Sequence, residues 1–210
     1  GSSCRDWGGN AGALDWYAIA ERAYEGASAA GVNDPAGFKR LALLETNIMA
    51  LRTYQSGISP EEAYQKALKA CDAAVALDPS SHESMATEAY ACWRWGEYQL
   101  YRGQDPTKVL DRAILAGTKA VSLDPSDPFG LNELGTAYYI KGEWELGAGL
   151  DPRASLKRAT ETYEKTLRLN PQDFVALSNM GGAWGMLGQY GLGHGLDPGA
   201  SLTKAVQYYE

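Results

Sequence analysis

Few residues in this chain have the types and spacing that chemistry needs. Gly191-Leu192-Gly193-His194-Gly195 has the glycine density of a phosphate-binding loop. Such a loop presents backbone amides to the phosphate, and it needs a strand before it and a Lys-Ser/Thr pair after it. This stretch follows a helical pattern, and no such pair comes next. It reads as a helix end and turn, with Gly147-Ala148-Gly149 as its counterpart 46 residues earlier. Glu143, Glu145 and Asp151 gather around Trp144, and paired carboxyls can do acid–base work. Yet Glu97 and Gln189 hold the position of Glu143 at the same offset, the variation of a solvated surface site. Arg102 and Ala148 likewise precede His194, as in an exposed turn. Ser155 and Ser201 fall in helix first turns with no His–Asp pair beside them, so nucleophilic catalysis has no support.

Only two histidines occur, His82 and His194, too far apart in sequence for a His-based metal site. The three cysteines, Cys4, Cys71 and Cys92, form no CxxC and no disulfide framework. Cys71 and Cys92 lie in helical patterns and read as small core residues. Cys4 reads as a free thiol or as a lipidated residue. No cofactor is expected.

The 210 residues carry a formal net charge of −7, and the 19 basic residues are scattered. Nucleic acid and anionic lipid are therefore poor partners. No apolar run is long enough to cross a bilayer, so no direct membrane insertion is expected. Gly1-Ser2 reads as a cloning scar and residues 1–12 as a tag remnant and flexible N-terminus. The compartment stays open between cytoplasm and periplasm.

The elements that position these residues are written in the prolines. Pro60, Pro106, Pro152 and Pro198 recur every 46 residues; so do Pro79, Pro125 and Pro171, and so do Gly57, Gly103, Gly149 and Gly195. A fixed period of this size means stacked supersecondary units, each burying its apolar face on the next. Asp78-Pro79, Asp124-Pro125 and Asn170-Pro171 end helices, because proline lacks the amide proton and clashes with the preceding turn. Asp105-Pro106, Asp151-Pro152 and Asp197-Pro198 start them, with an N-cap carboxylate before a proline at the first helical position. Ser59-Pro60, followed by Glu61 and Glu62, does the same with a hydroxyl. Nine helices are predicted, over roughly 13–30, 37–55, 60–77, 82–102, 106–122, 127–147, 152–169, 173–192 and 198–210. The last is cut before its unit closes, so the chain reads as a fragment. Residues 13–210 are expected to form one array.

Leu131-x2-Leu134-Gly135-x2-Tyr138, Gly142, Ala159-x3-Tyr163 and Pro171 follow one another with a distinctive spacing. Leu177-x2-Met180-Gly181-x2-Trp184, Gly188 and Ala205-x3-Tyr209 repeat it. This pattern resembles the tetratricopeptide repeat. A looser form begins at Met85, and the likeness covers about residues 37–210. It implies an all-α fold, a right-handed α-solenoid of antiparallel helix hairpins. Gly135, Gly181, Ala67, Ala113, Ala159 and Ala205 would let helices approach, and Tyr138, Trp184, Tyr163 and Tyr209 would fill the gaps. The usual unit is about 34 residues; the surplus of roughly 12 carries Gly-x-Asp-Pro, which suits two helices each lengthened by about six residues, or about 9 Å. Gly-x-Asp-Pro followed by Ser155-Leu156-Lys157-Arg158-Ala159 resembles repeat regions appended to bacterial serine/threonine protein kinases of the myxobacterial type. No kinase catalytic motif is present in this chain.

The resemblance implies a non-catalytic scaffold that binds a protein or peptide, as the sensor or docking region of such a kinase. Its groove would be lined by Arg40 and Asn47, then Tyr90, Trp93 and Arg94, then Asn132, Glu133, Thr136 and Tyr139, and last Ser178, Asn179, Gly182 and Met186. Aromatic area with amide and guanidinium donors suits a peptide. Ala86, Tyr90 and Glu133 stand where a carboxylate clamp for chaperone tails needs Lys and Asn, so that ligand is not expected. The alternative is an assembly element that self-associates through open solenoid ends, using the stripe Leu202, Ala205, Val206 and Tyr209.

Overall fold

The computed structural model describes residues 18–20, 22–24, 26, 34–53 and 59–209. Cys4, the 1–12 segment, Gly57 and most of the 13–30 helix lie outside these residues; those described between 18 and 26 are helical. No strand occurs among the described residues. The chain divides into two compact units at Ser80 and Ser81.

In the first unit, α1 (Pro35–Thr53) packs on α2 (Glu61–Leu77). Ala42 meets Ala70 and the buried Cys71, with Leu41 against them. Helix α1 starts two residues before its predicted position. The reason is Asp34, whose carboxylate accepts from the amides of Ala36 at 3.1 Å and Gly37 at 3.0 Å.

The second unit holds α3 (His82–Tyr101), α4 (Thr107–Leu123), α5 (Pro128–Gly147), α6 (Arg153–Leu169), α7 (Phe174–Gly193) and α8 (Gly199–Tyr209). Helices α3, α5 and α7 begin 46 residues apart, and so do α4, α6 and α8. The first set packs each on its own successor: α3 on α4, α5 on α6, α7 on α8. It also packs along itself, α3 on α5 and α5 on α7. Helices α4 and α6 touch the helix that follows. Helices α3, α5 and α7 have 20 residues each, and α4 and α6 have 17. The surplus residues of each unit therefore lengthen helices, as the turn chemistry predicts.

The turns explain the constancy. Gly103, Gly149 and Gly195 take φ of 68°, 72° and 67°, a left-handed conformation that closes a helix end. The next amide reaches back: Gln104 N–H donates to Gln99 at 2.9 Å, and Leu150 N–H to Glu145 at 2.7 Å. Asp105, Asp151 and Asp197 then accept from the amide two residues on, at 2.9, 3.0 and 2.9 Å. One detail differs from expectation: Pro106 and Pro152 sit at the N-cap, and the helices begin one residue later. Their ψ values of 1° and −5° leave them just outside the helical run, which shifts each Asp one place upstream. At the other edge Ser81, Asp127 and Asp173 cap α3, α5 and α7 through their side chains.

Close approach sets the core. Gly135 lies against Tyr163, where an added Cβ would stand 2.7 Å from Cε1. Gly96, Gly142 and Gly188 meet Leu110, Leu156 and Leu202 in the same way. Ala113, Ala159, Leu110, Leu156 and Tyr163 are fully buried. Tyr209 touches Gly181 but is 65% exposed, so of the expected gap-fillers it packs on one side only.

Two glycine substitutions separate packing from propensity. Gly135→Ala should destabilise by about 1–3 kcal/mol, because the buried Tyr163 ring has no room to yield. Gly185→Ala, in a helix interior with nothing within 4 Å of its Cβ, should stabilise by about 0.5–1 kcal/mol. Urea unfolding of both variants decides; equal effects would contradict the register.

Candidate functional site

The facing sides of α3, α5 and α7 carry most of the predicted lining residues. Tyr90, Trp93 and Arg94 come from α3; Asn132, Glu133, Thr136 and Tyr139 from α5; Ser178, Asn179 and Met186 from α7. Arg40 and Asn47 belong to α1 in the first unit, Arg40 exposed and Asn47 half-buried.

Three of these residues sit inside the seams between helices. Trp93, Glu133 and Thr136 are only 7%, 8% and 7% exposed. Trp93 Nε1 donates to Glu133 Oε2, which ties α3 to α5. Thr136 Oγ1 lies 2.9 Å from the Tyr163 hydroxyl, and Asn179 Nδ2 donates to that hydroxyl at 2.8 Å. Asn132 Nδ2 donates to Asp173 Oδ2 at 3.2 Å. The remaining lining residues of α3, α5 and α7 are half-buried. The Arg94 guanidinium lies 4.4 Å from the Trp93 ring centre and 5.5 Å from that of Tyr90, within cation–π reach. It also donates to Glu97 at 3.0 Å. Tyr90 stands edge-on to Phe129 at 6.2 Å. Tyr139 covers Gly182 so closely that a Cβ there would meet its hydroxyl at 2.7 Å.

Sequence reasoning missed Gly185. It holds the register of Trp93 and Tyr139, two units and one unit on, and its Cβ position is open space. At this register the side chain shrinks from seam-buried Trp93 to half-buried Tyr139 to Gly185, and at another from half-buried Tyr90 to seam-buried Thr136 to Gly182. The signal was present in the 46-residue alignment.

Burial shapes the electrostatics. Desolvation pushes the Glu133 carboxyl up to about 8, with the Trp93 N–H and the Arg94 charge pulling the other way. Burial likewise raises Tyr139 to about 12. Glu143 is raised by burial and then by the like charge of Glu97. Glu143 and Glu145 are half-buried, unlike the solvated site that the variation at Glu143 implied. Asp151 is exposed and bound by Arg153 at 2.6 Å, which draws its pKa down to about 2. Ser155 is 6% exposed and so closed to substrate. His194 stacks on Tyr190 at 3.9 Å, and Arg153 lies over the same ring at 5.3 Å. That cluster holds the turn before α6 to the end of α7. Among the described residues no His/Cys/Asp/Glu group could hold a metal ion, and no helix is long and apolar enough to cross a membrane.

A comparison with protein-family models finds no match, and neither does one with curated protein sequences. Among solved structures the chain is similar to two crystal structures of MamA. One has a TM-score of 0.58 at 20% identity, covering 93% of this chain and 80% of that one. The other has a TM-score of 0.57 at 20% identity, covering 99% and 96%. The fold is an all-α solenoid of the tetratricopeptide type. At this identity the likeness speaks for the fold alone.

The Glu133 seam makes a pH prediction. A carboxyl raised on folding adds stability that is complete below its ordinary value of 4.5 and is lost as pH rises through about 8. Stability should therefore fall between about pH 5 and about pH 8. Glu133→Gln keeps an acceptor for the Trp93 N–H and should flatten this part of the profile. Urea unfolding across the window checks it; an unchanged slope in the variant would remove Glu133 as the cause.

Proposed function

We propose that the chain is a non-catalytic scaffold that binds a protein or peptide on the face of α3, α5 and α7. The observation that carries the reading is the open space at Gly185, one helical turn from Gly182, over which half-buried Tyr139 lies. Bare helix surface at Gly185, with an aromatic ring one turn away, gives a partner's side chain apolar area to bury. Tyr90, Asn132, Ser178 and Asn179 extend the same face with polar groups. Gly-x-Asp-Pro and the Ser-Leu-x-x-Ala helix support a finer reading, the sensor or docking region of a bacterial serine/threonine protein kinase.

A test uses random dodecapeptides displayed on phage and selected against the full 210-residue chain. Enriched peptides should lose at least about tenfold in affinity to Gly185→Leu, which fills that open space, and to Tyr139→Ala. Binding that survives both variants, with melting curves showing them folded, would refute this face.

A second reading, self-association, is favoured by one observation. Leu202 and Tyr209 on α8 are 40% and 65% exposed, whereas Leu156 and Tyr163 at the same register of α6 are fully buried. Sedimentation velocity should then show a dimer that Leu202→Glu/Val206→Glu dissolves. A monomer at every concentration rejects it.

A further inference from the structure

We propose that the segment received at Gly185 is an α-helix that lies in the groove between α7 and α8 and carries the pattern small-x2-amide-Leu/Met. The inference rests on the interaction reading above, in that Gly185 takes a partner, and adds the partner's conformation and chemistry.

The chain shows twice how such a groove is filled. Helix α5 lies against both α3 and α4, and α7 against both α5 and α6. Each brings the same pair of positions to the second helix of the hairpin. Over α4, Gly130 lies beside Ala120, and Leu134 covers Gly117. Over α6, Ala176 and Met180, 46 residues on, pack with Ala159 and Tyr163. The Asn179 amide, from α7, donates to the Tyr163 hydroxyl at 2.8 Å. The first helix of each hairpin meets the incoming one through the register of Gly185. Trp93 reaches Glu133 on α5, and Tyr139 covers Gly182 on α7. Position 185 is thus the one that meets a helix arriving next in the row.

The groove between α7 and α8 has the same inner lining. Leu202 and Tyr209 press on Gly188 and Gly181 as Leu156 and Tyr163 press on Gly142 and Gly135. Among the described residues, however, α8 packs on α7 alone. Leu156, Thr160 and Tyr163 are buried, whereas Leu202, Val206 and Tyr209 at the same register are 40%, 55% and 65% exposed. The Tyr209 hydroxyl also lacks what binds that of Tyr163. Gly182 stands at the register of Thr136 and has no hydroxyl to offer, and the amide arrives only with a helix in the groove. On the α7 side, nothing lies within 4 Å of the Cβ position of Gly185. The cover that α5 and α7 supply has its small residue, amide or carboxyl, and Leu or Met at i, i+3 and i+4. A helix puts those three on one face; in an extended segment i and i+3 point to opposite sides.

A labelled synthetic peptide of residues 127–147 with Glu133→Asn, which keeps Gly130 and Leu134 around the new amide, tests it against the full chain by fluorescence anisotropy. It should bind and gain helical circular dichroism. Val206→Glu in the chain should weaken binding at least about tenfold. Tyr209→Phe in the chain, or Glu133→Ala in place of the amide in the peptide, should each cost about three- to tenfold, and the two losses should not add. Tyr209→Phe removes only an exposed hydroxyl, so it keeps the test valid even if Val206→Glu fails to fold. No binding, or binding indifferent to both chain variants, overturns this inference. A dimer of the chain that Val206→Glu dissolves would put a second copy on α8 and overturns it too. The interaction reading stands in either case if displayed peptides still need Gly185 open. Displayed peptides indifferent to Gly185→Leu overturn both.

Discussion

The buried phenol of Tyr163 is the constraint on which the second unit depends. Its ring presses on Gly135 of α5, and its hydroxyl binds Thr136 and, from α7, Asn179. A buried hydroxyl without partners would cost on the order of 1–3 kcal/mol. Satisfying it fixes three helices at once. The hairpin can close only where the chain has no Cβ, and the next helix can join only where it offers an amide. One unit earlier the sizes are reversed. Ala89 and Gly117 take the places of Gly135 and Tyr163, and Leu134 of α5 fills the space, with its Cβ 3.1 Å from where a Cβ on Gly117 would stand. The repeat thus conserves a volume between helices rather than a particular side chain.

Backbone chemistry made the fold legible in the sequence. Proline ends helices by a missing proton, and Gly103, Gly149 and Gly195 turn the chain by adopting a φ that side chains disfavour. These effects are local, so helix ends in the second unit fall within two residues of expectation. The error at α1 has the same origin. Asp34-Pro35 repeats the device of Asp127-Pro128, which was not read as a cap in either place.

The face was less legible. The resemblance implied that Trp93, Glu133 and Thr136 line a groove, yet each is buried in a seam between helices. Consecutive residues of a helix point about 100° apart and those three or four apart only about 40–60°, a difference that separates an open face from a contact with the adjoining helix. The partners are also offset from the repeat. Trp93 reaches Glu133 and Asn132 reaches Asp173, across 40 and 41 residues rather than 46. Side chains lean along the helix and meet diagonally, so an alignment of units in register hides the pairs that hold the units together.

Turns and seams therefore follow different rules. The turns recur nearly unchanged, because a backbone with one solution for closing a helix needs the same residues each time. The seams vary: Trp93, Tyr139 and Gly185 share a register, and so do Thr87, Glu133 and Asn179. An array whose only task was to stack would gain nothing by placing a buried carboxyl at Glu133, where desolvation opposes it. Varying the seams while holding the frame gives each pair of helices in the row its own contact. The half-buried residues beside these seams differ as well, Tyr90, Tyr139 and Met186 each having a different residue at its register in the other two units, so the open side of α3, α5 and α7 does not repeat one pattern.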